Sequence, residues 1–148
     1  MAAHPHATLI RECYEALNRG DTASALAAWS DGIVWHERVG KTWAMAGDYV
    51  GKQAVAGLFG GLPGLGLTAM LAEPHDILAD DSHVVALMNM HMERGDQKYL
   101  SHEVHVWHVV DGKASEVWLT SQDPDAFDAF WAAKSSPPPR RPGPRVAR

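Results

Sequence analysis

The stretch LTAMLAEPHDILADDSHVVALMNMHMERGDQKYLSHEVHVWHVVDGKASEVWLTS, residues 67–121, decides the fold. It divides into four runs rich in apolar and β-branched residues, at 67–78, 83–93, 98–110 and 113–121. Between them stand Asp80-Asp81-Ser82, Gly95-Asp96 and Asp111-Gly112, each a hairpin turn signal. Turns this short force antiparallel neighbours, because a parallel crossover needs a dozen residues or more. The stretch therefore predicts an antiparallel meander.

Helices and one further strand precede it. Leu9, Ile10, Cys13, Tyr14 and Leu17 form one stripe at helical spacing, predicting a helix over 7–19 that Gly20 ends. Asp21 caps a second helix running through Trp29. The Asp31-Gly32 pair reads as a turn that launches a strand over 33–39. Strand alternation puts Ile33, Trp35 and Glu37 on one face, and Val34 and His36 on the other. Residues 40–51 read as a loop, and 52–59 as a third helix. The glycines of 57–66 lack the Lys-Ser/Thr pair of a phosphate cradle and read as a connection. Beyond the meander, Asp123-Pro124 opens a closing helix with Phe127, Phe130 and Trp131 on one side. Helices segregated from an antiparallel sheet make an α+β fold. The expected form is a cone-shaped barrel: a curved sheet with helices on its concave face, enclosing a pocket for a small apolar molecule.

Composition narrows the function classes. The chain has 148 residues, 46% hydrophobic and 21% charged, which suits one globular domain over 1–133. Residues 134–148, KSSPPPRRPGPRVAR, are basic and Pro-rich and read as a disordered tail. The tail holds five of the 13 basic residues, leaving eight against 18 acidic ones in the body. An acidic body disfavours nucleic acid as partner. No apolar run is long enough for a membrane span, and the start, MAAHPHATLI, lacks the pattern of a secretory leader. Cys13 is the only cysteine, so no internal disulfide forms and a reducing cytoplasm is the expected location.

The element order and several strings resemble the nuclear-transport-factor-2-like superfamily, in particular its ketosteroid-isomerase and SnoaL-like branch. The strings are EALNRGD (15–21), WSDGIVWHERVG (29–40), GDYVGKQAV (47–55) and DGKASEVW with DPDAFDAFW near the end. The resemblance implies a carboxylate base at the end of the first strand, a position that falls on Glu37. It implies an oxyanion-binding acid on a late strand, where this chain has His105. The implied oxyanion tyrosine falls on Cys13, with Tyr14 one residue later and about 100° around the helix.

Glu37 shares a face with Trp35, and a carboxylate against an apolar wall resists ionisation and suits a general base near neutral pH. The plain alternative is a solvent-exposed carboxylate paired with Arg38 or Lys41. His105 shares a face with Glu103 and Trp107 and can donate to an oxyanion or carry a proton. Its alternative is a hydrogen-bonded core histidine. Tyr14, Trp35, Trp107 and Trp118 are the candidate substrate-binding residues. His102, His105 and His108 are spaced for a helix face but lie on a strand, where His105 points away from the other two, so no metal is expected. Met88, Met90 and Met92 share one face, suiting either a homodimer contact or an adaptable pocket wall. No nucleotide fingerprint or nucleophile elbow occurs, and no cofactor is expected. These readings point to a cofactor-free enzyme on a small apolar carbonyl compound of polyketide, terpenoid or steroid type. Isomerisation, cyclisation and dehydration all fit. The alternative is a non-catalytic ligand-binding or interaction module.

Overall fold

The computed structural model describes residues 2–133. The expected tail lies outside the described residues. Helices α1 (Pro5–Asn18), α2 (Thr22–Ala27) and α3 (Lys52–Gly61) precede or interrupt the sheet, and α4 (Pro124–Ala132) follows it. The strands are β1 (Trp29–Arg38), β2 (Gly47–Val50), β3 (Ala69–Ala79), β4 (His83–Arg94), β5 (Gln97–Val110) and β6 (Lys113–Ser121). They form one sheet in the order β2-β1-β6-β5-β4-β3.

The meander forms as its turns require. Asp111 and Gly112 have φ of 51° and 75°, the paired left-handed conformation that matches strand twist in a two-residue hairpin. Pro74 is tolerated because β3 is an edge strand and its register to β4 shifts between Pro74 and Asp76, a bulge being where proline fits a sheet. The N-terminal strand joins the meander by a parallel pairing of β1 with β6.

Several elements differ from the sequence reading. Trp29 begins β1 instead of ending α2, and Asp31-Gly32 forms an irregularity within β1, between Trp29 and Val34 of the β6 register, not a turn before it. The segment read as a loop contains β2, whose four residues pair antiparallel with β1. Such a short strand has too few positions to show alternation. Helix α1 begins two residues earlier, at Pro5, with the His4 ring accepting from the His6 backbone N–H.

Helix α1 covers the concave face with Ile10, Cys13 and Tyr14 buried. At its end the Asn18 side chain donates to Ala72 O (2.7 Å) and accepts from Ala72 N (2.8 Å). It thereby satisfies two backbone groups of the edge strand β3 and fixes how α1 lies on the sheet. Helix α4 closes the other end. Asp128 accepts backbone N–H bonds from Lys41, Thr42 and Trp43, tying the 40–46 loop to α4. Gly40 permits this contact, since a Cβ there would collide with Asp128 and Phe127. No described helix is long and apolar enough to cross a membrane.

Candidate active site

The inner face of the sheet and helices α1, α3 and α4 enclose a cavity of about 90 Å³. Its wall is mainly carbon. Leu58, Phe59 and Leu62 come from α3 and the residue after it, Met70, Met90 and Met92 from β3 and β4, and Trp43, Phe127 and Trp131 from the α4 end. Met90 and Met92 of β4 thus line the cavity, and Met88, outside its lining, is buried as well, so none of the three offers an outer contact surface.

Four groups in this wall can carry protons: Tyr14, Glu37, Glu103 and His105. All are buried, from 2% to 7% exposed. Glu37 and His105 are each paired with Leu119 of β6. They therefore sit in one row across three strands, two strand spacings or about 9.5 Å apart at the backbone. Both line the wall of the cavity.

Glu37 Oε2 accepts the indole N–H of Trp35 at 2.7 Å, which leaves Oε1 for a ligand. Burial pushes the Glu37 carboxyl up to about 8 against the partial relief of the Trp35 bond, and the nearby negative charge of Glu103 adds to the rise. A buried anion loses hydration that one donor does not replace. Glu37 is thus mostly neutral at pH 7.

His105 sits in a chain of hydrogen bonds. Its Nδ1 is 2.7 Å from the Tyr14 hydroxyl and its Nε2 is 3.3 Å from Glu103 Oε1. The Trp107 indole donates to the Tyr14 oxygen at 3.0 Å. Both ring nitrogens are therefore engaged by protein, which matches the hydrogen-bonded histidine that the sequence left as the alternative to a free donor. Burial holds the Tyr14 hydroxyl well above its usual range, so it remains a neutral donor.

The other sequence candidates divide. Trp35 lines the cavity, while Trp107 lies behind it, edge-on to Trp35 and Tyr14. Trp118 is corrected: it projects from the opposite face of the sheet, stacked on His36 and edge-on to His108. It follows Val117 on β6, and successive strand residues alternate faces. Cys13, the neighbour of Tyr14, is buried outside the cavity wall, where burial pushes its thiol up to about 11. His102 and His108 lie on the outer face, away from His105. Among the described residues no group of three potential ligands gathers for a metal ion. Glu103 is the cavity residue that sequence reasoning passed over as a site. Its spacing of two from His105 carried the signal, since a carboxylate and an imidazole on one inward strand face are in reach of each other.

A curved six-stranded sheet with helices on its concave face and a polar-spotted apolar cavity is the architecture of the nuclear-transport-factor-2-like superfamily. Within it, the chain belongs to the SnoaL-like domain family, which it matches over residues 10–117. Among solved structures it is similar to Bal32a from a soil-derived mobile gene cassette, with 23% identity, 86% of this chain and 96% of that chain covered, and a TM-score of 0.78. It is also similar to TerC co-crystallised with polyporic acid (18%, 88% and 100%, 0.74) and to an epoxide hydrolase of M. tuberculosis (21%, 85% and 89%, 0.68). At these identities the likeness is one of fold. A comparison by sequence with curated proteins gives no match.

Proposed function

We propose that this protein is a cofactor-free enzyme that moves protons on a small apolar carbonyl compound, of polyketide, terpenoid or steroid type. Isomerisation, cyclisation and dehydration are the reactions that fit. One observation carries the reading: a carboxyl group pushed up to about 8 faces an apolar cavity shared with a second carboxylate and a histidine. A group that changes charge near neutral pH can give or take a proton at either end of a reaction. The water-poor wall strengthens every charge interaction during the reaction. Glu37 exchanges protons at one pole of the cavity, and the Tyr14–His105–Glu103 chain forms the other. Trp35 and the methionines grip the apolar body of the substrate.

The test does not require the natural substrate. Cyclohexanone and similar small apolar ketones, incubated with the enzyme in D₂O, should gain deuterium α to the carbonyl faster than in buffer, followed by proton NMR. A rate no faster than buffer across the ketone panel would overturn the acid–base reading in favour of a binding module.

The same reading includes a homodimer. Leu71, Leu78, Leu100 and Val104 are exposed and alternate with buried residues of β3 and β5, which puts them on the outer face of the sheet, unlike the methionines. An apolar face of this kind suits a second copy as cover. Light scattering at micromolar concentration should give twice the chain mass of 16.1 kDa; a monomer would overturn it.

A further inference from the structure

The members of the hydrogen-bond chain in the cavity wall fix its direction. The Trp107 indole only donates, and the Tyr14 oxygen accepts its proton. The single Tyr14 proton then goes to His105 Nδ1. A ring nitrogen that accepts carries no proton, so the neutral imidazole has its N–H on Nε2, facing Glu103 Oε1. The chain ends on Glu103, whose Oε1 accepts from His105. In the reverse order the Tyr14 hydroxyl would accept twice, and its own proton would have no acceptor in a side chain 3% exposed. Three successive dipoles therefore point at Glu103, whereas Glu37 receives a single donor.

We propose that Glu103 is the proton acceptor of this cavity and Glu37 its proton donor, with His105 and Tyr14 acting as positioning residues behind Glu103. This rests on the acid–base function proposed above. It inverts the order that the family resemblance implies, in which the first-strand carboxylate is the base. Glu103 takes a proton from the carbon α to the substrate carbonyl. The C–H electron pair becomes the C–C double bond of an enol, and the carbonyl oxygen takes the proton of Glu37. Glu103 ends neutral and Glu37 ends as carboxylate. Return of the Glu103 proton to a conjugated carbon, with Glu37 recovering its own from the enol oxygen, completes an isomerisation. The titratable groups that share the cavity with Glu37 are Tyr14, Glu103 and His105, with Tyr49 of β2 beside it. Among the described residues no lysine or arginine lines the wall.

The pH dependence of cyclohexanone exchange separates the two orders. If Glu37 donates, exchange falls as pH rises through about 8, because the proton to be donated is gone. If Glu37 is the base, exchange rises through the same pH, and that result would overturn the assignment. Glu103→Gln should lose about 10²–10⁴-fold in exchange rate, the scale for a general base, and Glu103→Asp should recover part of it. Tyr14→Phe should lose about tenfold at saturating ketone with the half-saturating concentration unchanged, as for one hydrogen bond felt at the transition state. Carbon-13 NMR of the Glu37 carboxyl gives a readout independent of turnover. Its midpoint should fall in Glu103→Gln, because a neighbouring negative charge is removed, and an unmoved midpoint would overturn the pairing. Exchange that survives Glu103→Gln at the wild-type rate would overturn the assignment and leave the acid–base function standing. No exchange in the wild type would overturn both.

Discussion

Glu37→Gln should make the protein more stable at pH 8 and cost about 10²–10⁴-fold in proton-transfer rate. The stability gain follows from linkage. The Glu37 carboxyl ionises near 4.5 in the unfolded chain and near 8 in the folded one. Between these values the unfolded state has lost a proton that the folded state keeps, so stability falls as pH rises from about 4.5 to about 8. Below 4.5 both states are protonated and the cost disappears. At pH 7 it is on the order of 3 kcal/mol. Glutamine has no proton to lose, keeps an acceptor for the Trp35 indole and escapes the cost, although its amide N–H₂ offsets part of the gain if left unpaired. Melting temperatures of wild type and variant should therefore coincide near pH 4.5 and separate by roughly 5–10 °C near pH 8. A difference independent of pH would mean that Glu37 does not titrate in this window. The trade is physical: the desolvation that poises the carboxyl for proton transfer is the same desolvation that weakens the fold.

The sequence was legible where local chemistry decides structure. Asp111-Gly112 and the other turns, together with period-2 runs, marked out the meander almost to the residue, and Asp21 and Asp123 cap the helices they were expected to cap. The inward faces of Glu37 and His105 followed from alternation with Trp35 and Trp107. What was hidden depends on partners far along the chain. β2 exists because β1 offers it an edge, and Trp29 is a strand residue because Ala28 O accepts from Ala114 N. Residue type alone suggests the pocket for Trp118, but its position beside the buried Val117 on β6 turns it outward. Which of the two readings of His105 holds is not legible locally, because Tyr14 lies 91 residues away in sequence. Only the packing of α1 on the sheet brings that hydroxyl to Nδ1 and uses up the ring.

Arg94 illustrates the same limit, and its removal should have the largest effect on stability. In the sequence it is merely a basic residue before the Gly95-Asp96 turn. In the fold it is 6% exposed and donates to Leu65 O (3.1 Å), Phe130 O (2.6 Å) and Ala133 O (2.7 Å). Two of those acceptors are carbonyls at the C-terminal end of α4, which have no partner within the helix. A cation there also meets the negative end of the helix dipole. The guanidinium lies against the rings of Phe130 and Trp131 as well. Arg94→Leu keeps apolar volume but leaves three carbonyls without their donor, each costing about 1–3 kcal/mol when buried. Because α4 can fray to let water reach them, the total should be nearer ~3–4 kcal/mol, a fall of roughly 10 °C or more in melting temperature. Arg94→Lys should recover only part, since one ammonium cannot span all three acceptors. The loss should also reach the site, because Phe127 and Trp131 of α4 line the cavity and Asp128 holds the Trp43 loop. Tryptophan fluorescence should shift to the red at temperatures well below the melting transition as Trp43 and Trp131 meet water. Loss of stability without that early shift would mean that Arg94 supports the sheet and not the closure of the cavity by α4.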